Sequence, residues 1–124
     1  MRILVCGGRD FTDFEWMNFK LSQWIDFQPK EVVYPLTIIH GGARGADSLA
    51  GYWAKKFGYA CEEYPADWNR YGKRAGPIRN AQMIREGKPD VVIAFPGGAG
   101  TMNMISQAVR AGIPTQAFYG RTHG

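Results

Sequence analysis

Short runs of mainly apolar residues recur along the chain, and glycine or proline closes most of them. The first run contains Ile3-Leu4-Val5 and ends at Gly7-Gly8. Apolar runs of this length between turn formers are typical of strands that are buried on both faces. The pattern predicts five strands, at residues 2–6, 36–39, 59–64, 90–95 and 114–119.

Apolar residues spaced three and four apart predict helices between these strands. This spacing places the apolar side chains on one face, which can then pack on a sheet. Thr12 or Asp13 is suited to cap the first helix, and Gly58 is suited to end the second. Pro77 is acceptable in the first turn of the third helix. The predicted helices cover about 14–25, 46–57, 77–86 and 100–111, with a loop over 66–77.

Strands and helices alternate throughout, and their connections are short. This alternation predicts an α/β fold, a doubly wound, mostly parallel five-stranded sheet with helices on both faces. The 124 residues contain no linker, so we expect a single domain over 1–124, with 120–124 as a frayed tail. A strand order of 3-2-1-4-5 would place the loops after strands one and four beside the crevice where such sheets bind ligands.

Composition narrows the class of protein. The chain is 45% hydrophobic and 21% charged, which suits a globular domain, and its formal net charge is +4. No apolar stretch reaches the roughly 20 residues that span a bilayer, and no secretory leader precedes the first strand, so a cytoplasmic protein without membrane contact is expected. Cys6 and Cys61 are expected to be reduced, buried thiols. His40 and His123 lie far apart, so neither a metal nor another cofactor is expected.

Three glycine-rich loops directly follow strands one, two and four. In a parallel sheet the carboxyl ends of the strands share one edge, so these loops are expected to converge. Glycine lets an anion approach backbone N–H groups, and a helix N-terminus adds unpaired donors. One such loop could simply be a tight turn, but three on one edge predict a phosphate-binding site. The candidate ligand-binding residues of the loops are Gly7, Gly8, Gly41, Gly42, Gly45, Pro96, Gly97, Gly98, Gly100 and Thr101.

Two common nucleotide-binding motifs are absent from these loops. Gly45 is not followed by Lys and then Ser or Thr, so the second loop is not a P-loop. The complete G-x-G-x-x-G motif is also missing, which disfavours a standard dinucleotide oxidoreductase.

Residues 67–80 combine four cations with two aromatic side chains. The segment follows strand three, so it is expected to rise from the same sheet edge as the glycine loops. Arg79, with Asn80 beside it, can direct its guanidinium at phosphate or ribose oxygens. Trp68 or Tyr71 can stack on a base. The alternatives are a solvated basic loop and a segment that grips single-stranded nucleic acid.

Charged residues within the glycine loops each have two interpretations. Asp10 and Asp47 could accept hydrogen bonds from ribose hydroxyls, or they could cap helices. Arg9 and Arg44 either lie near the expected phosphate or are surface charges. His40 ends strand two, and we interpret it as a structural histidine.

Four motifs occur in a specific order. They are Gly7-Gly8-Arg9-Asp10-Phe11, then His40-Gly41-Gly42-Ala43-x-Gly45-Ala46-Asp47, then the Trp68 loop with Arg79-Asn80, and finally Phe95-Pro96-Gly97-Gly98-x-Gly100-Thr101. Together they resemble the SLOG superfamily, named after the DNA-processing (Smf) and Lonely Guy proteins, and in particular its YspA, cpYpsA-related branch of bacterial and phage proteins. The resemblance implies a Rossmann-like sheet that binds nucleotides or nucleotide derivatives. Because Lonely Guy relatives form dimers, it also implies a homo-oligomer.

One departure from the family pattern bears on activity. Lonely Guy enzymes release a base from a nucleoside monophosphate, and their signatures read R-K-x-x-M and P-G-G-x-G-T-x-x-E. This chain keeps the arginine as Arg79, but Met104 stands where the catalytic glutamate is expected. Methionine cannot stabilise an oxocarbenium-like charge. The resemblance therefore implies a sensor or carrier of a nucleotide-derived ligand, with catalytic residues unassigned.

Two other functions stay open. An N-glycosidase could use Asp10, Asp47 or Asp67 in place of the missing glutamate. A single-stranded DNA-binding protein would use the basic loop, although a net charge of +4 is small for that role.

Overall fold

The computed structural model describes residues 1–120, in which strands and helices alternate along the chain. The strands are β1 (Arg2–Cys6), β2 (Thr37–His40), β3 (Ala60–Glu63), β4 (Val91–Ala94) and β5 (Thr115–Ala117). The helices are α1 (Phe14–Asp26), α2 (Lys30–Val33), α3 (Ala46–Lys56), α4 (Trp68–Tyr71), α5 (Ala75–Gly87) and α6 (Ala99–Arg110). Of the predicted frayed tail 120–124, residues 121–124 lie outside the described residues.

The five strands form one sheet in the order β3-β2-β1-β4-β5, and every neighbouring pair is parallel. The predicted doubly wound α/β fold is confirmed, and the strand order is the one considered from the sequence. Ile3 of β1 is in register with Ile38 on one side and Val91 on the other. β2 and β3 extend the sheet on one side of β1, whereas β4 and β5 extend it on the other, so the order of strand addition reverses between β1 and β4. The loops after these two strands therefore flank the switch-point crevice.

Alternating side chains of the sheet enter two cores. On one face, Ile3 and Ile38 pack against α1 and α3, where Leu21 and Trp53 are buried. On the other face, Leu4 and its neighbours pack against α5 and α6. The central strands are apolar on both faces because helices cover both, as expected for a parallel sheet. None of the helices within residues 1–120 combines the length and apolar character needed to cross a membrane.

The predicted loop over 66–77 is wrong, because this segment is mostly helical. Asp67 caps α4 by accepting a hydrogen bond from the backbone N–H of Arg70 at 3.1 Å. A 3₁₀ turn, Gly72–Arg74, then leads directly into α5. The sequence also gave no indication of α2, a single turn behind Pro29. Both short helices lack the repeated apolar spacing that identifies longer ones.

Some local predictions are confirmed and one is corrected. Asp13, rather than Thr12, caps α1 by accepting from the N–H of Trp16 at 3.0 Å. Gly58 follows α3 with a φ of +77°, as expected for a helix-ending glycine. Both cysteines are free, but only Cys6 is buried. Cys61 is exposed because β3 is an edge strand, so the prediction of two buried thiols fails there.

Candidate functional site

A cavity of about 600 Å³ opens at the carboxyl edge of the sheet, over the crevice between β1 and β4. Its walls come from the loops after β1, β2 and β4, from Trp68 and from the facing sides of α5 and α6. This volume lies within the range of pockets that hold small ligands. The predicted site residues that line it are Gly7, Gly8, Arg9, Asp47, Trp68, Arg79, Asn80, Gly98, Gly100 and Thr101.

The N-terminus of α6 forms one wall of this cavity. Gly98 is the N-cap residue, and no side chain caps the helix there. A Cβ added at Gly98 or Gly100 would meet no atom within 4 Å outside its own helix, so the space beside the first turn is open. Thr101 is buried in the same turn and lines the cavity. First-turn N–H groups without partners and the helix dipole together favour an anion.

The glycines after β1 serve close backbone packing. The N–H of Gly8 donates to the carbonyl of Pro96 at 2.8 Å, and the N–H of Ala46 donates to the carbonyl of Gly8 at 3.1 Å. A Cβ at Gly7 would lie 2.6 Å from the Cβ of Ala46, and a Cβ at Gly8 would lie 2.9 Å from the carbonyl oxygen of Pro96. These contacts join all three glycine loops, and larger side chains would force them apart.

A buried polar cluster holds the loop after β2. Oδ2 of Asp47 accepts hydrogen bonds from the N–H groups of Gly41 at 3.1 Å and Ala43 at 3.4 Å. Nη1 of Arg79 donates to the carbonyl of Gly41 at 2.5 Å. Nδ1 of His40 accepts from the N–H of Gly42 at 3.0 Å, which supports the structural interpretation of that histidine. Asp47 is therefore an anchor of this loop, whereas the N-cap position of α3 belongs to Gly45.

Burial controls the protonation of these groups. It raises the pKa of Asp47, and the nearby Arg79 guanidinium and the two N–H donors oppose that rise. It lowers the pKa of Arg79 and that of His40. Burial also raises the pKa of Cys6, which lies at the cavity floor, to about 12, so its thiol stays protonated.

Trp68 and Arg9 form the outer wall. The Arg9 guanidinium lies over the Trp68 ring, 5.1 Å from its centroid, and the indole is 47% exposed. Tyr71, the other predicted stacking residue, does not line the cavity and instead has the guanidinium of Arg70 over its ring. Trp68 is the aromatic face that a ligand in the cavity can reach.

The other predicted residues lie behind or beside the cavity wall. Gly41 is enclosed by Arg79 and Asp47, and a Cβ at Gly45 would collide with the carbonyl of Gly8. Asp10 and Arg44 form an ion pair of 3.4 Å on the surface, with the Asp10 side chain 97% exposed. The predicted residues that do not line the cavity are Asp10, Gly41, Gly42, Arg44, Gly45, Pro96 and Gly97.

Sequence reasoning missed several residues that line the cavity. Lys73 was in the basic segment but was not selected, and Asn103 was not considered. Asn103 follows Gly100 by three positions, so the helical repeat could have placed it on the same face. Met104, at the position where a catalytic glutamate was expected, is buried in the same core cluster as Met83 and also lines the cavity. Within residues 1–120, no three His, Cys, Asp or Glu side chains are grouped to hold a metal ion.

Comparison with known proteins identifies the family. The sequence profile of the YspA, cpYpsA-related SLOG family matches residues 1–71, which contain the first two glycine loops and Trp68. The chain belongs to this SLOG family. A relative of similar length, the Gene 61 protein of Mycobacterium phage D29, is 39% identical over 94% of this chain and 95% of its own. The resemblance predicted from the motifs is confirmed.

Proposed function

We propose that this SLOG protein binds a nucleotide or nucleotide-derived ligand and acts as its sensor or carrier. The observation that carries the proposal is the uncapped N-terminus of α6, which opens into a cavity where Gly98 and Gly100 leave room for an anion. A phosphate there would accept hydrogen bonds from first-turn N–H groups. Membership of the SLOG family is consistent with this ligand class.

The rest of the cavity suits the remaining parts of a nucleotide. Trp68 offers a half-exposed indole face on which a base can stack, and Arg9 covers part of it. Lys73 and Arg79 add positive charge to the wall, while Asp47 is the carboxylate that reaches it. A ligand with one planar aromatic group and one phosphate matches this distribution of aromatic, cationic and N–H groups.

The test is a thermal-shift panel of AMP, ADP-ribose, NAD and cyclic nucleotides. A ligand at 100 times its Kd adds about 2.7 kcal/mol to the free energy of unfolding, which is a shift of several degrees for a domain of this size. Lys73→Gln should weaken the binding of the active compound. Lys30→Gln, which removes the same charge on α2, should not. A flat panel would refute the proposal.

One observation supports a second candidate, an N-glycosidase. Asp47 is a buried carboxylate that lines the cavity and has a raised pKa, which is a property of general acids. Asp67 is instead the cap of α4, and Asp10 lies on the surface. Incubation with AMP at high protein concentration should release adenine if this candidate is right. Absence of adenine after a day would eliminate it.

Two proposals concern macromolecular partners. Weak binding of single-stranded nucleic acid by the basic α4–α5 segment should be lost at moderate salt, and a labelled oligonucleotide measures it. The family resemblance also leads us to propose a homo-oligomer, which sedimentation can test.

A further inference from the structure

Three side-chain amides form a chain between α5 and α6. Nδ2 of Asn80 donates to Oδ1 of Asn103 at 3.1 Å, and Nε2 of Gln107 donates to the same oxygen at 2.7 Å. Asn80 is buried, and Asn103 lines the cavity. The orientation of the Asn103 amide therefore decides whether its oxygen or its N–H₂ group faces a ligand in the cavity.

The side-chain amides of Asn80 and Gln107 each have one possible orientation, because their other partners can act only as donors or only as acceptors. The carbonyl of Gly100 accepts from Nδ2 of Asn80 at 3.2 Å, while Nε of Arg79 donates to Oδ1 of Asn80 at 3.1 Å. The carbonyl of Pro77 accepts from Nε2 of Gln107 at 3.1 Å. A carbonyl cannot donate and a guanidinium cannot accept, so neither Asn80 nor Gln107 can be turned around.

The orientation of Asn103 follows from its neighbours. Both present N–H groups to it, so its oxygen must face them, and a reversed amide would set N–H against N–H. Its N–H₂ group is left without a hydrogen-bond acceptor among residues 1–120. Side chains on a helix lean toward its N-terminus, so this amide lies over the turn that contains Ala99 and Gly100.

We propose that Asn103 is a specificity-determining residue of the cavity, whose fixed N–H₂ donates to an oxygen acceptor of the ligand. This inference rests on the proposed nucleotide function. The acceptor is either a phosphate oxygen or a sugar oxygen next to the phosphate, because the amide lies beside the first turn of α6. A ligand that presents an amine there is disfavoured, since two donors would then face each other.

Two variants distinguish the loss of the Asn103 N–H₂ donor from the effect of an added negative charge. Asn103→Asp keeps an oxygen toward Asn80 and Gln107 and replaces the N–H₂ by a second oxygen. Asn103→Ala removes the donor without adding charge, at a helical position where alanine is favourable. Gln116→Glu, on the edge strand β5, is the control for the added negative charge.

Kd values for inorganic phosphate, ribose 5-phosphate and AMP are measured for each protein by calorimetry. We expect AMP binding to weaken roughly tenfold or more in Asn103→Asp and roughly three- to tenfold in Asn103→Ala, and to be unchanged in Gln116→Glu. A loss that is already present with inorganic phosphate assigns the acceptor to the phosphate. A loss that first occurs with ribose 5-phosphate assigns it to the sugar.

Failure of this inference differs from failure of the proposed function. If the unmodified protein binds AMP and Asn103→Ala binds it equally well, the inference is overturned and the proposed function stands. If the unmodified protein binds none of the nucleotides in the panel, both fall. The side-chain amide signals in NMR spectra give a readout without ligand. Fast solvent exchange of the Asn103 N–H₂ with slow exchange of the Asn80 N–H₂ supports the assigned orientation, and the reverse contradicts it.

Discussion

Replacing Gly100 by alanine distinguishes two reasons for a glycine at the start of α6. The fold has room for the methyl group, because a Cβ at Gly100 meets no atom within 4 Å outside its own helix. Alanine is more favourable than glycine in a helix by about 0.5–1 kcal/mol. The substitution should therefore raise the free energy of unfolding by that amount and the Tm by about 2–4 °C.

The same methyl group should impair ligand binding. Gly100 lines the cavity beside the N–H groups that would hold a phosphate, so a Cβ keeps the anion at a distance. We expect AMP affinity to fall by about tenfold, which corresponds to about 1.4 kcal/mol. A variant that is more stable but binds AMP more weakly would show that Gly100 is needed for the ligand to reach the backbone N–H groups and not for the fold.

Urea unfolding measures the stability, and calorimetric titration with AMP measures the affinity. Gly97→Ala is the contrasting variant, since its Cβ would collide with Oγ1 of Thr101 and lie 2.6 Å from the nitrogen of Gly8. Overpacking of this kind costs about 1–3 kcal/mol, so this variant should unfold earlier. The reasoning is refuted if Gly100→Ala is the less stable of the two, or if it binds AMP as tightly as the unmodified protein.

Three further substitutions test the buried polar and sulfur groups. Folding raises the pKa of Asp47, so the stability that this carboxyl contributes is lost as pH rises from about 4 through the folded pKa. In Asp47→Asn, the free energy of unfolding measured in urea should no longer fall over this pH range. The pKa of His40 is lowered, so its contribution is lost as pH falls below about 6.5, by at most about 1.4 kcal/mol per pH unit, and His40→Gln should abolish that loss. Met104→Glu places a carboxylate among buried apolar side chains and should lower the Tm at pH 8 more than at pH 5, where part of it is protonated.

The sheet could be predicted from the sequence because its signals are local. Each strand is an apolar run closed by a turn former, and each long helix repeats its apolar residues at three and four positions. Parallel strands joined by helices then allow few strand orders, and the order considered from the sequence is among them and is the observed one. The helices α2 and α4 are single turns, too short for apolar residues to repeat, so the spacing of apolar residues could not predict them.

The site was harder to predict because a side chain has several possible partners and the sequence does not show which it meets. Asp47 could bind a sugar or cap a helix, and in the fold it accepts from Gly41 and Ala43. Asn103 looks like any polar residue of a helix until Asn80 and Gln107 are seen to fix its oxygen. The partners of Asp47 lie only 6 and 4 positions away and that of Asn103 on α5 lies 23 positions away, so such roles depend on side-chain orientation and packing. A periodic pattern of apolar residues carries no record of either.

The contacts of Arg79 explain why this arginine is present without the catalytic glutamate. The Lonely Guy signatures combine this arginine with a catalytic glutamate, yet this chain has Met104 at the glutamate position. Nη1 of Arg79 donates to the carbonyl of Gly41, and its Nε donates to Asn80, so the guanidinium joins α5 to the loop after β2 and orients the amide chain. An arginine with these structural contacts is needed whether or not a reaction takes place. Its presence beside a methionine is therefore explained by the fold and carries no argument for catalysis.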